Sequence, residues 1–231
     1  MAFFLPPEVD FFPHPLCADP DGLLAMGADI SPEMLLLSYQ FGIFPWSNAE
    51  EPLFWYFTHP RCVLFPEQIR ITKSMRPYLN GDKLSWTLDR AFPQIIRASK
   101  QKKRQGQAGT WIYDKLEETF LELHHRGYAH SVEVWQGDEL VGGLYGLALG
   151  KIFYGESMFA NVSNASKYGF IQLTSWLEKR GYWLIDCQQR TQHLLSMGAE
   201  TISGEKFMDM LRKNVFEPNF VGKWVDESTA T

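Results

Sequence analysis

Proline and glycine break the hydrophobic pattern through the first sixty residues, and the pattern becomes regular afterwards. In the opening stretch only one helix is expected: Ser31-Pro32 opens it, Leu35, Leu36 and Tyr39 point inward, and Gly42 stops it. Beyond Pro60, Arg61–Leu64 and Gln68–Thr72 read as short strands and Asp89–Ser99 as a helix. Leu116, Phe120 and Leu123 recur at helical spacing between Asp114, a capping residue, and Gly127, a terminator. Ser131–Gln136 and Glu139–Leu149 are rich in β-formers, and Gly137-Asp138 between them suits a two-residue hairpin turn. Gly150-Lys151 turns the chain into another strand, Ile152–Tyr154, which leads into a flexible stretch, Phe159–Ser163. A long helix follows Asn164, with Phe170, Leu173 and Leu177 on one side and Gly181 at its end. Tyr182–Gln188 returns as a strand, and a short helix occupies the region of His193–Met197.

This order predicts an α+β protein. A small irregular N-terminal domain, residues 1–60, precedes a larger one, residues 61–231, in which helices cover a mostly antiparallel sheet. Hydrophobic residues make up 45% of the chain and aromatics 15%, which excludes disorder and coiled coil and leaves a compact soluble protein. The first fifteen residues carry no Lys or Arg and four prolines, unlike a secretory signal, and no stretch is long and apolar enough to span a bilayer. Cys17, Cys62 and Cys187 have neither metal nor disulfide spacing, so free thiols in the cytoplasm are expected. Nothing demands a dimer.

The formal net charge of −5 opposes indiscriminate nucleic-acid binding but permits a local basic face. Arg97, Lys100, Lys102, Lys103 and Arg104 form the densest cluster, in and beside a polar loop over Gln101–Gly109, with Arg70, Lys73, Arg76 and Lys83 upstream. Taken alone, the cluster reads first as a solvated loop and only second as a nucleic-acid surface. Trp46 and Trp111 stand in short loops, Phe44-Pro45-Trp46 and Gly109-Thr110-Trp111, where they either stack unpaired bases or glue two domains together.

Chemistry concentrates in two places. Glu156 follows the Ile152–Tyr154 strand, where a sheet opens toward a ligand or a carboxylate caps a turn. Asp186 and Gln188 share one face of the last strand by two-residue alternation, with Cys187 turned to the other. Such a pair is either a polar site or a loop cap with a solvated neighbour. Cys187 has no evident base beside it, and His124, His125, His130 and His193 lack metal spacing.

Seven segments together resemble the bacterial leucyl/phenylalanyl-tRNA–protein transferase family. They are Gly22–Trp46, Gly109–Trp111, His130–Trp135, Glu139–Gly146, Gly155–Phe159, Asn164–Lys167 and Leu184–Gln188. The resemblance runs from Gly22 to beyond Gly198 and implies a small N-terminal domain with an N-acetyltransferase-like (GNAT-like) catalytic domain. It implies transfer of Leu or Phe, and less readily Met, from aminoacyl-tRNA to proteins beginning with Arg or Lys, which marks them for degradation. Asp186 and Gln188 match the family's catalytic pair and Glu156 its third polar residue. Leu144, Phe153, Phe170, Leu173 and Ile185 match the apolar pocket for the transferred side chain, and Trp46 and Trp111 the residues holding the terminal adenosine. The basic residues would meet the body of the tRNA. No cofactor and no metal are implied.

Strict alternation places Phe153 and Glu156 on opposite faces, and a bulge at Gly155 would reconcile them. In the expected chemistry Asp186 orients and polarises Gln188, whose side-chain oxygen receives the proton of the attacking amine, with direct base action by Asp186 as a variant. Two other functions fit parts of the chain. A CoA-dependent acetyltransferase would share the strand–helix order, but Asn164-Ala165-Ser166-Lys167 stands where a glycine-rich phosphate cradle is expected. A non-catalytic RNA-binding module would need the basic and aromatic residues but not the polar pair.

Overall fold

The computed structural model describes residues 2–47, 52–102 and 112–225. The N-terminal part, expected to be irregular, is built on a four-stranded sheet: β1 (Phe3–Leu5), β2 (Leu23–Gly27), β3 (Phe44–Pro45) and β4 (Phe54–Tyr56), in the order β1-β2-β4-β3. These strands have two to five residues, too short to show alternation in a sequence. Helix α1 (Pro32–Gln40) forms where Ser31-Pro32 places it, with Ser31 Oγ accepting from the Met34 amide. It buries Met34, Leu35, Ser38 and Tyr39, while Leu36 is only half-buried.

The second sheet has seven strands in the order β11-β5-β10-β9-β8-β7-β6. They are β5 (Arg61–Leu64), β6 (Ser85–Leu88), β7 (Ala129–Gln136), β8 (Glu139–Leu149), β9 (Ile152–Ala160), β10 (Leu184–Gln188) and β11 (Glu200–Ile202). All neighbours are antiparallel except β9 and β10, so the expectation of a mostly antiparallel sheet holds. The hairpin turns at Gly137-Asp138, where Gly137 takes a φ of 59° that a two-residue turn requires.

Among the described residues six α-helices complete the larger part: α2 (Arg76–Leu79), α3 (Phe92–Gln101), α4 (Asp114–His125), α5 (Ala165–Lys179), α6 (Gln192–Ser196) and α7 (Gly204–Asn214). Two apolar cores lie on the two faces of the sheet. One joins Phe92, Ile95, Phe120 and Leu123 of α3 and α4 to Tyr145, Leu147 and Leu149 of β8, and continues into the N-terminal sheet. The other packs Phe170, Leu173 and Leu177 of α5 against Val132, Val134, Leu144 and Phe153.

Several expectations need correction. Gln68–Thr72 is not a strand: Pro66 turns the chain into a 3-10 helix over Pro66–Gln68, and the Arg70 amide bonds to the Met197 carbonyl. Helix α3 starts at Phe92 because Asp89, at φ 51°, uses its carboxylate to bind the backbone amides of Ser131 and Trp224 and the ring of His130. Asn164 precedes α5 in a left-handed conformation and makes no side-chain cap. Asp114 is the first residue of α4, its carboxylate held by Lys100. Strand β9 runs on to Ala160, so Glu156 lies within it, and Phe159, expected in a flexible stretch, is buried.

Candidate active site

Strands β9 and β10 run parallel only as far as the pairing of Tyr154 with Asp186. Past that point each is distorted. On β9, Tyr145 pairs with Ser157 and Gly146 with Gly155, which leaves Glu156 as the extra residue of a bulge. On β10, Asp186 pairs with Val63 and Gln188 with Cys62, which leaves Cys187 unpaired. Bulges re-aim side chains and end pairing, and here two of them flank the opening between the strands. The bulge anticipated at Gly155 is therefore present, whereas simple alternation along β10 is not: Cys187 lines the same cavity as Asp186 and Gln188.

That cavity measures about 450 Å³, within the usual range for a small-molecule site. Leu144, Phe153, Phe170, Ile185 and Leu194 form its apolar part, and Trp46 stands at its border with its ring edge against Tyr56 at 5.4 Å. Glu156, Gln188, Gln189, Thr191 and His193 supply polar atoms.

Asp186 is fully buried and meets Arg61, also fully buried, through two bonds: Nε to Oδ1 at 2.8 Å and Nη2 to Oδ2 at 2.7 Å. Nη2 also donates to the Gly42 carbonyl at 2.9 Å, and the guanidinium lies about 5 Å from the ring centres of Phe44 and Phe207. Two charges in so dry a place are tolerable only because the pairing is bidentate and the remaining donors are satisfied. The Asp186 carboxylate accepts a third bond, from the backbone amide of Gln188 at 2.9 Å. Both oxygens thus accept hydrogen bonds within the protein, and the carboxylate anchors the backbone of the next residue but one.

Gln188 needs that anchor because its φ is 58°, a left-handed conformation unfavourable for a side chain with a β-carbon. The Gln188 carbonyl accepts from Thr58 Oγ1 at 2.9 Å, which holds the other side of the peptide. The kink points the carboxamide at Glu156: Nε2 donates to Glu156 Oε1 at 2.8 Å, and the Tyr39 hydroxyl donates to the same oxygen at 2.6 Å. Burial, with the charge of Asp186 adding to it, pushes the Glu156 carboxyl up to about 8 despite the two donors. Burial and the neighbouring Glu156 hold the Tyr39 phenol well above its ordinary range, so it remains a donor. The arrangement presents a carboxamide oxygen, and a carboxyl that changes charge near neutral pH, to one end of an apolar hole. Among the described residues no cluster of His, Cys, Asp and Glu could hold a metal ion.

Two family descriptions match this sequence: the N-terminal domain of leucyl/phenylalanyl-tRNA protein transferase over residues 28–59, and leucyl/phenylalanyl-tRNA protein transferase over residues 63–212. The chain belongs to this family. A leucyl/phenylalanyl-tRNA–protein transferase from Christiangramia forsetii is 51% identical, covering 90% of this chain and 99% of its own. One from Anaeromyxobacter sp. (strain K) is 43% identical, covering 97% of this chain and 96% of its own. Among solved structures, L-PGS from Bacillus licheniformis shares 12% identity at a TM-score of 0.40 over 90% of this chain and 70% of its own, too low a likeness to argue from.

Set against the expectations for a leucyl/phenylalanyl-tRNA–protein transferase, Asp186, Gln188, Glu156, Leu144, Phe153, Phe170, Ile185 and Trp46 all meet at the cavity. Leu173 does not line it, because its side chain is directed into the core between α5 and the sheet. Trp111, Lys103 and Arg104 lie outside the described residues. Lys100 is bound to Asp114 at 2.5 Å and Glu117 at 2.8 Å, so its charge is largely neutralised within the protein. Lys102 donates to the Ala160 carbonyl at 2.7 Å. Arg70, Lys73, Arg76 and Lys83 are exposed. Sequence reasoning missed Arg61 and Tyr39. Arg61 carried one signal, a cation heading the otherwise apolar strand Cys62-Val63-Leu64; Tyr39 looked like any core-facing position of α1. No described helix is long and apolar enough to cross a membrane.

Proposed function

We propose that the cavity takes the aminoacyl-adenosine end of leucyl- or phenylalanyl-tRNA and joins its amino acid to the α-amine of a protein beginning with Arg or Lys. The observation that carries this reading is the Gln188–Glu156 pair, kinked into the mouth of a hole walled by Leu144, Phe153, Phe170 and Ile185. An unbranched or γ-branched side chain enters such a hole, whereas discrimination by single methylenes is modest, about 1–3 kcal/mol. Trp46 packs the terminal adenosine from the border, together with Trp111. Arg70, Lys73, Arg76 and Lys83 attract the tRNA body through its phosphates without reading sequence.

The ester is already activated, so the reaction requires alignment and one proton transfer. Because Nε2 of Gln188 is engaged by Glu156, its Oε1 is the atom left to accept an N–H of the attacking amine and aim the lone pair at the ester carbonyl. As the C–N bond forms, the amine proton passes to the ionised Glu156 carboxylate. It then moves to the ribose oxygen as the ester C–O bond breaks. Asp186 and Arg61 act by holding Gln188, not by touching the substrate.

Residues 1–60 and 61–231 serve as a supporting and a catalytic domain, the latter N-acetyltransferase-like in its element order, in a cytoplasmic monomer. The decisive assay incubates the protein with radiolabelled leucyl-tRNA and an Arg-initiated peptide. Label is expected in the peptide, and acetyl-CoA is expected neither to bind nor to donate. Absence of transfer with both substrates saturating, or acetylation in its place, would sink the reading.

A further inference from the structure

We propose that Cys62 and Cys187 form a reversible disulfide that shuts the transfer site under oxidising conditions. Cys62 on β5 and Cys187 on β10 occupy neighbouring antiparallel strands. The bulge leaves Cys187 without a ladder partner on β5, directly before Gln188, which pairs with Cys62. All three cysteines are free thiols, and their settings differ: Cys17 is exposed, Cys62 is buried, and Cys187 is half-buried on the cavity wall. A small oxidant that enters the cavity therefore meets Cys187, with Cys62 immediately behind it.

The two thiols influence one another, which holds Cys62 below the ordinary thiol range and Cys187, also penalised by burial, well above it; the Cys187 Sγ donates to the Ile185 carbonyl at 3.7 Å. Burial and the Asp186 charge oppose the Cys62 thiolate, while Arg190 and Arg61 favour it, and its titration still lies below the ordinary thiol range. Oxidation by a peroxide balances in two steps. The peroxide oxygen transfers to the Cys62 sulfur, the more acidic of the two thiols, giving a sulfenic acid and water. The Cys187 sulfur then displaces hydroxide from that sulfenic acid, which leaves as a second water with the Cys187 thiol proton and closes the S–S bond. A dithiol reductant reverses the change by exchange.

Closure acts on the site through geometry. Two unbonded sulfurs must approach to about 2.0 Å to close a disulfide, which draws residue 187 toward β5. Its two neighbours are Asp186, fixed by Arg61, and Gln188, held at a left-handed φ by a single bond from its amide to Asp186 and one from Thr58 to its carbonyl. The peptide between them turns, and the Gln188 carboxamide leaves Glu156. Displacement of a positioning group by about 1 Å can lower a rate about a hundredfold.

Intact protein treated with hydrogen peroxide should lose two hydrogens, and peptide mapping should join Cys62 to Cys187 while Cys17 stays unlinked. Transfer from leucyl-tRNA should fall about a hundredfold in step with the linked fraction and return with dithiothreitol. Cys62→Ala should keep its activity through a brief, dilute peroxide treatment; Cys62→Val fills the same buried site if alanine unsettles the fold. Failure of the linkage to form, full activity in the linked protein, or equal inactivation of the Cys62 variants would each overturn the proposal. The mapping does not depend on the transfer reading, so a protein that cross-links but never transfers would refute the function and leave the disulfide standing.

Discussion

Replacing Asp186 by Asn tests the claim that a buried ion pair sets the catalytic geometry. The substitution keeps the shape of the side chain but places an amide N–H against a guanidinium N–H that now donates at 2.7 or 2.8 Å. Arg61 is left charged and fully buried, with the Gly42 carbonyl and Thr58 hydroxyl as its remaining polar partners. Breaking such a pair from one side costs about 3–5 kcal/mol. In a chain of this length each kcal/mol lowers Tm by about 2–4 °C, so a drop of roughly 6–20 °C is expected by calorimetry. Transfer should fall by about a hundredfold, because the remaining oxygen can hold the Gln188 amide only with the new N–H set against Arg61, which displaces the anchor of the kink. The double variant Arg61→Met, Asp186→Leu separates the two effects. Phe44, Phe57 and Phe207 already surround the guanidinium with rings, so an apolar pair should recover most of the stability. It should not recover transfer. Asp186→Asn melting within about 1 °C of the parent, where the pair's rupture should cost several times that, or a double variant that transfers at the parental rate, would refute the reasoning.

Three further outcomes follow from the same site. Gln188→Gly removes the cost of a left-handed side-chain residue, so urea denaturation should show a gain of about 1 kcal/mol, while single-turnover transfer disappears. Glu156, raised from 4.5 to about 8, gives opposite signs in two measurements. Folding stability should decline as pH rises from about 4.5 toward 8, because the native state holds a proton that the unfolded chain releases. The transfer rate should climb toward about 8 as the carboxylate ionises; Glu156→Gln flattens the stability profile and removes that share of the rate profile. Reversing Arg70, Lys73 or Arg76 to Glu should weaken tRNA binding and reduce the salt slope by about 1 for each phosphate left without its cation. Lys100→Ala, whose charge already faces Asp114 and Glu117, should leave the filter-binding slope unchanged.

What the sequence could reveal follows from range. Helix α1 was legible from its cap, α4 and α5 from their apolar spacing and the β7–β8 hairpin from its two-residue turn, because these signals act within a few positions. The strands of the N-terminal sheet were not, since two to five residues carry no period and are defined by partners ten or more positions away. At the site, the resemblance drew Asp186, Gln188 and Glu156 together, yet their division of labour needed coordinates. Alternation along β10 could not show that Cys187 bulges, that Gln188 turns left-handed, or that Asp186 is saturated by an arginine 125 positions earlier. Arg61 and Tyr39 were missed for the same reason: each meets its partners only where the two sheets come together.

Tyr39 and the Gly42 carbonyl come from the first sixty residues, and Glu156 and Asp186, which depend on them, from the rest. A truncated version beginning at Arg61 would retain every acid and amide of the reaction and still misplace them. Its carboxyl would lack the phenol that steadies it, and its buried cation would lack a lid. Swapping the front piece between relatives is consequently a graft onto the catalytic apparatus itself, and chimeras should work only when the residues on both sides of this seam are moved together.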